Sequence, residues 1–148
     1  MGEWAVVGLC NAAWLNMHAA EFEIRELDKS LAEDGEDIIL RRVIGSTNQA
    51  FIDVTCRAFV RGYAANELIG GITQKDSRVI LSPTQINRTN WPGGQVPPAP
   101  SAVNVDPRVP SKNRGDKCSI GGSFRAVEAG SGIYLDGELV RIDMRVLG

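Results

Sequence analysis

The chain holds one histidine, His18. A Ser-His-Asp relay would have to use it, but no G-x-S-x-G turn accompanies it. It stands at the head of an acidic run, where a surface residue is the expected reading. Carboxylates offer the next chemistry. Glu33, Asp34, Glu36 and Asp37 cluster, though not at the spacing of a calcium-binding loop, and they read as a solvated helix end. Asp53, Asp136, Glu138 and Asp143 fall on strands or turns. An acid–base pair could be drawn from them, but the outer face of a strand needs such residues anyway. The pairs Gly70-Gly71, Gly93-Gly94 and Gly121-Gly122 lack the G-K-[ST] or G-x-G-x-x-G context of a phosphate cradle, so turns explain them. Arg57, Arg61, Arg141 and Arg145 would make a basic stripe on open sheet faces. Only Phe59 and Tyr63 stand nearby as stacking platforms, so cross-strand pairing with Asp53 or Asp143 is the expected role. The three cysteines, Cys10, Cys56 and Cys118, are odd in number and form no C-x-x-C pair, which argues against a disulfide framework or a zinc site. Cys56 reads as a small core residue. The expectation is a protein with no catalytic site, no metal and no cofactor.

The elements around these residues are mostly strands. Ala20, Ile24, Leu27 and Leu31 recur at helical spacing, which predicts one helix over 18–34, stopped at Gly35. A β-rich run follows at 37–44, then a turn at 45–48. In 51–61, Ile52, Val54, Cys56, Ala58 and Val60 alternate with Asp53, Thr55, Arg57 and Arg61, predicting a strand with one buried face. Phe51 and Phe59 lie on its polar face and would need cover from a neighbour or from the N-terminus. Residues 62–77 read as a loop with a flexible Gly70-Gly71 joint. A short strand at 78–81 leads into Ser82-Pro83, which reads as the cap and first position of a short helical turn through Ile86.

Residues 90–114 carry six prolines, which remove donors and block ladders, so an extended loop is expected there. A loop of that length in a compact domain is usually functional. Strands at 116–120 and 124–129 should form a hairpin about Gly121-Gly122. Asp136-Gly137 is a second hairpin turn. The last strand, 139–147, sets Val140, Ile142, Met144 and Val146 against Arg141, Asp143 and Arg145. About six strands with one leading helix and two long loops predict a mainly β fold, a small β-barrel or sandwich.

The 148 residues fit one domain, and 43% apolar with 23% charged residues suffices for a core. The formal charge of −2 leaves no global nucleic-acid footprint. The charge is split: eight acids and two bases lie in 21–37, against five bases and two acids in 88–117. Head-to-tail stacking of unlike ends would use such a split, and a solvated helix beside a solvated loop explains it equally well. The apolar stretch 4–15 is too short to span a membrane and lacks a positive flank. Residues 1–17 therefore read as an arm or extension, with Met17 as a second possible start, and 18–148 as one domain. Trp4, Val6, Val7, Leu9, Trp14 and Leu15 suggest an apolar partner for the arm.

Five blocks in order, EDIILRRVIG, DVTCRAFVRGY, DSRVILSPTQI, GDKCSIGGSFRAVEA and GELVRIDMRVLG, resemble the head–tail connector proteins of tailed bacteriophages, of the stopper or head-completion class. The most telling piece is the hairpin G-D-x-x-x-I-x-G, formed by Gly115, Asp116, Ile120 and Gly122, with Val127 after it. The resemblance implies a β-barrel subunit of a virion neck ring, six-fold in that family, made in the host cytoplasm. It would sit beneath the portal or adaptor, dock tail proteins, and close the channel over packaged double-stranded DNA. It also implies a channel-facing loop, which by order along the chain is 62–77, with Tyr63, Glu67, Gly70, Gly71 and Lys75. The Pro-rich segment is longer than that family pattern has; read from its own residues, it would be an interaction arm that orders on a neighbouring subunit or ring, or else a surface insertion that touches nothing. Trp91 would anchor it, Val96, Val103, Val105 and Val109 would add apolar contacts, and Arg108, Lys112 and Arg114 would meet acids of an adjacent copy. A tail terminator, or a monomeric barrel binding single-stranded nucleic acid or a small ligand, are the alternatives.

Overall fold

A computed structural model describes residues 19–44, 50–62, 75–95 and 106–148. Helix α1 covers 19–34, and six strands follow. These are β1 (Glu36–Ile44), β2 (Ala50–Gly62), β3 (Ser77–Leu81), β4 (Lys117–Ile120), β5 (Ser123–Leu135) and β6 (Glu138–Val146). A short helix α2 (Thr84–Asn87) and a 3-10 turn (Lys112–Arg114) lie between β3 and β4. The strands close into a barrel in the order β1-β2-β3-β6-β5-β4, every neighbouring pair antiparallel. Closure leaves no edge strand, although β3 and β4 are short, so β2 before Ala58 and β5 after Ala126 lack a ladder partner on that side. The expectation of a mainly β fold is met, and of barrel and sandwich the barrel is the form.

Alternation builds the interior. Ile38 and Leu40 of β1, Val54, Cys56 and Ala58 of β2, Val79 and Leu81 of β3, and Ile142, Met144 and Val146 of β6 are buried in one cluster. Ile52 and Val60 pack against it, so the inward phase expected of β2 holds along its length. The two hairpin turns also form as expected. Gly121 and Gly122 have φ of 60° and 87°, and Asp136 and Gly137 have 52° and 81°. Positive φ at both central positions suits the right-handed twist of the flanking strands.

Two register shifts in the β5–β6 pair depart from clean alternation, the first between Val127 and Ala129. The β5–β6 register slips again between Ile133 and Tyr134, so Ile133 faces Arg141 and Tyr134 faces Leu139. The extra residue is Val140. Leu139 joins the core cluster and Val140 does not, because a bulge rotates the strand by one position. Val140 is nevertheless buried, lining a hollow with Leu27 of α1 and Ile133. The expected inward set of β6 is therefore corrected at that position. Strand β5 also runs well past the expected 129, continuing as Ser123–Leu135.

Helix α1 lies over the side where β3 stops short. Ala20 and Leu31 are buried, and Ile24 and Leu27 are half-buried. The Gly35 N–H donates to the Leu31 carbonyl at 2.8 Å, ending the helix where expected. The Arg57 Nε of β2 donates to the same carbonyl at 3.0 Å, and Thr84 Oγ1 donates to Asp28 Oδ2 at 2.6 Å. Just before α2 the Ser82 hydroxyl accepts the Thr84 N–H at 3.2 Å, but Pro83 is the N-cap and no side chain caps the helix, so the expected cap and first position fall one residue early.

Candidate functional site

The two segments singled out by sequence leave the barrel at opposite ends, because each successive strand reverses direction. Residues 63–74 join β2 to β3, and their flanking residues Gly62 and Ser77 pair directly. Tyr63, Glu67, Gly70 and Gly71 lie outside the described residues. Lys75 is exposed. Beside it Asp76 is buried, accepts the Gly148 N–H at 3.3 Å and lies 3.8 Å from Arg145 Nε. The base of this loop is thus pinned to the end of β6.

The Pro-rich segment is held differently from the expected arm. Trp91 is fully buried within its own barrel's core. Its indole N–H donates to the Pro107 carbonyl at 3.2 Å. The Arg42 guanidinium lies over its ring, 4.5 Å from the centroid. Arg42 is itself buried, at 4% exposure. It donates from Nε and Nη2 to both oxygens of Asp116, at 2.8 and 2.7 Å, and from Nη1 to the Pro107 carbonyl. Asp116 also accepts the Ser111 N–H at 2.9 Å. This clasp ties both ends of the segment to β1. Gly130 of β5 completes the seat, since a Cβ there would run into the Pro110 carbonyl. The expectation that Trp91 anchors a contact with another chain is corrected: its whole surface is spent at home.

Other members of the expected interface also find partners in their own chain. Arg108 Nε and Nη2 donate to Asp106 at 3.0 and 2.9 Å, and Nη1 donates to Asn87 at 3.1 Å. Tyr134 donates its hydroxyl to Asp106 at 2.9 Å. Partial burial pushes the Asp106 carboxyl up, but the bonds from Arg108 and Tyr134 outweigh it and hold the group below its usual range. Lys112 meets Glu128 at 3.1 Å. Arg114 is half-buried at the end of the 3-10 turn. The acids these bases were expected to meet on another copy are thus supplied locally for Arg108 and Lys112. Val109 packs against the core. Val96, Val103 and Val105 lie outside the described residues.

The barrel wall carries the arginines and carboxylates in pairs. Arg57 faces Asp37 across the β1–β2 ladder and bonds it at 3.2 Å. Arg141 grips Asp143 with two bonds of 2.9 Å, and Arg78 adds a third at 3.3 Å. Burial pushes the Asp143 carboxyl up, yet Arg141 and then Arg78 outweigh it and leave it lowered. A lowered folded-state value makes this pairing stabilising above the usual carboxylate range, and the contribution fades as pH falls through the lowered value. Arg145 lies 3.7 Å from Glu128. A stripe so neutralised is a poor phosphate track, and Asp143 is poorly placed to act as a base. Asp136 and Glu138 are exposed around the second hairpin turn.

Arg41 has a different setting. Its guanidinium lies 4.0 Å from the ring centres of both Phe51 and Phe124 and is bonded to both oxygens of Asp53 at 2.8 and 2.9 Å. Phe51 and Phe124 remain 49% and 38% exposed. The cover expected for Phe51 is not supplied by the described residues.

Burial pushes the thiols of Cys56 and Cys118 up to about 12. Both should resist thiol reagents at neutral pH, since the thiolate is the reactive form. With Cys10→Ser removing the third thiol, a colorimetric thiol count should read none in buffer and two in denaturant. Two fast-reacting thiols in buffer would place them outside the core. Among the described residues no group of three or more His, Cys, Asp or Glu could hold a metal ion, and no helix is long and apolar enough to cross a membrane. In comparison with known proteins, no family model and no curated protein matches this chain.

Proposed function

We propose that the chain is a structural ring subunit of a tailed-phage neck, of the stopper or head-completion class. In this role it closes the DNA channel beneath the portal or adaptor and offers a docking surface for tail proteins. The observation that carries the reading is the closed six-stranded barrel with its two long segments at opposite ends. A ring subunit needs that division: one segment toward the channel, another toward a neighbouring ring. In their described residues, the five blocks that resemble the connectors fall on the barrel strands, the turns beside them and the start of α2. The paired arginines favour a structural wall over a nucleic-acid groove, since DNA sliding through a ring should meet little net attraction.

The channel loop is 62–77, pinned at its base by Asp76. Deleting 65–73 removes its tip and leaves that base intact. The expected result is a folded ring that lets packaged DNA leak from tailless heads, read as the fraction of filled heads by electron microscopy. Heads that stay full would remove the channel role.

A further inference from the structure

We propose that residues 1–18 of one copy dock on the Phe51–Arg41–Phe124 face of a second copy, making the arm the link between subunits. The inference rests on the ring reading above and names the contact that would build the ring. Two phenylalanines, Phe51 of β2 and Phe124 of β5, flank Arg41 of β1, whose charge is already met by Asp53, and form a preassembled face across β2, β1 and β5, centred on the β1–β4 wall. Val43 shares its outer phase, opposite Phe51. Because the guanidinium is satisfied, an acidic partner gains little there. The face fits an apolar or aromatic segment of low charge, and its side chains are already ordered by stacking, which lowers the cost of binding.

Residues 1–18 have that chemistry. They carry Trp4 and Trp14, the aliphatic Val6, Val7, Leu9 and Leu15, and Glu3 as the one acidic or basic side chain apart from His18. They join α1, which lies across β2 and β6 on the β3 side. In the closed order β1-β2-β3-β6-β5-β4, the β3–β6 pair lies opposite the β1–β4 pair. The arm therefore starts on one wall and its matching face is on the other. Such a pair of unlike surfaces on opposite sides makes a head-to-tail contact, which closes into a ring when the rotation per subunit allows. Eighteen residues extend to about 60 Å at most, ample to reach a neighbour.

Sedimentation velocity on three full-length proteins tests this. The unaltered chain should assemble. An arm variant, Trp4→Ser with Trp14→Ser, and a face variant, Phe51→Ser with Phe124→Ser, should each associate about tenfold or more weakly. Mixed one to one, they should recover a two-chain complex, because the face variant lends its intact arm to the arm variant's intact face. Should the face variant fail to fold by circular dichroism, Phe124→Lys alone, at an exposed hairpin position, takes its place. A monomeric unaltered chain, variants that assemble normally, or a mixture that stays monomeric each overturn the proposal, the last pointing to an arm folded on its own barrel. Assembly insensitive to these variants, with leaking heads after deletion of 65–73, would sink the arm contact and leave the neck reading standing.

Discussion

Replacing Asp116 with alanine is expected to lower the unfolding free energy by about 3–5 kcal/mol, the usual cost of stranding one partner of a buried ion pair. The change removes two charge-assisted bonds to Arg42 and one to the Ser111 N–H. It leaves the Arg42 guanidinium buried at 4% exposure with its charge unmet. A small domain is stable by about 5–15 kcal/mol in total, so urea unfolding should show a large fall in midpoint. Asp116→Leu combined with Arg42→Met should recover much of the loss, since a buried pair exchanged for apolar side chains is often neutral. A loss below about 1 kcal/mol for Asp116→Ala would match an exposed pair and mean that water reaches the clasp. The clasp bears on the proposed role as well. By holding Trp91, Pro107 and Asp116 to β1, it fixes the described ends of the Pro-rich segment on the barrel.

The barrel was legible where alternation ran in one phase. Ile52 to Val60 needed only the period-two pattern, and the hairpin turns needed only Gly121-Gly122 and Asp136-Gly137. The β6 interior was misread at Val140 because a bulge leaves no mark on an alternating string; the shift exists only in the pairing with β5. Arg42 was overlooked although a signal stood in the sequence. It shares the inward phase of Ile38 and Leu40, and an arginine in that phase demands a buried carboxylate. Asp116, in the hairpin motif that suggested the connector family, was that carboxylate. The sequence linked it to a turn, whereas its bonds run to a strand 74 positions away. Arg41–Asp53 and Arg57–Asp37 depend on the β1–β2 register, which composition does not specify. Trp91 was misplaced because six prolines made the whole of 90–114 read as one extended strip. Proline forbids a ladder, but it does not forbid a segment from folding back and filling the end of a barrel.

Trp91→Ala should be the second large effect, costing about 3–5 kcal/mol through the cavity it opens. The side chain is fully buried among the core residues, it bonds Pro107, and it stacks beneath Arg42. Trp91→Phe keeps most of the apolar volume and a ring face for the guanidinium while losing the bond to Pro107, so it should cost clearly less. The effects of Trp91→Ala and Asp116→Ala should not add. Both act on Arg42 and on the seat of residues 106–116, and groups sharing a partner typically couple by about 0.5–3 kcal/mol. A double-mutant cycle by urea unfolding measures that coupling. Losses that simply add would show that the two groups act independently. A Trp91→Ala protein as stable as the unaltered chain, but weakened in assembly, would return Trp91 to the surface as an anchor for another subunit. The buried geometry requires the reverse, a stability loss in the isolated subunit before any partner is present.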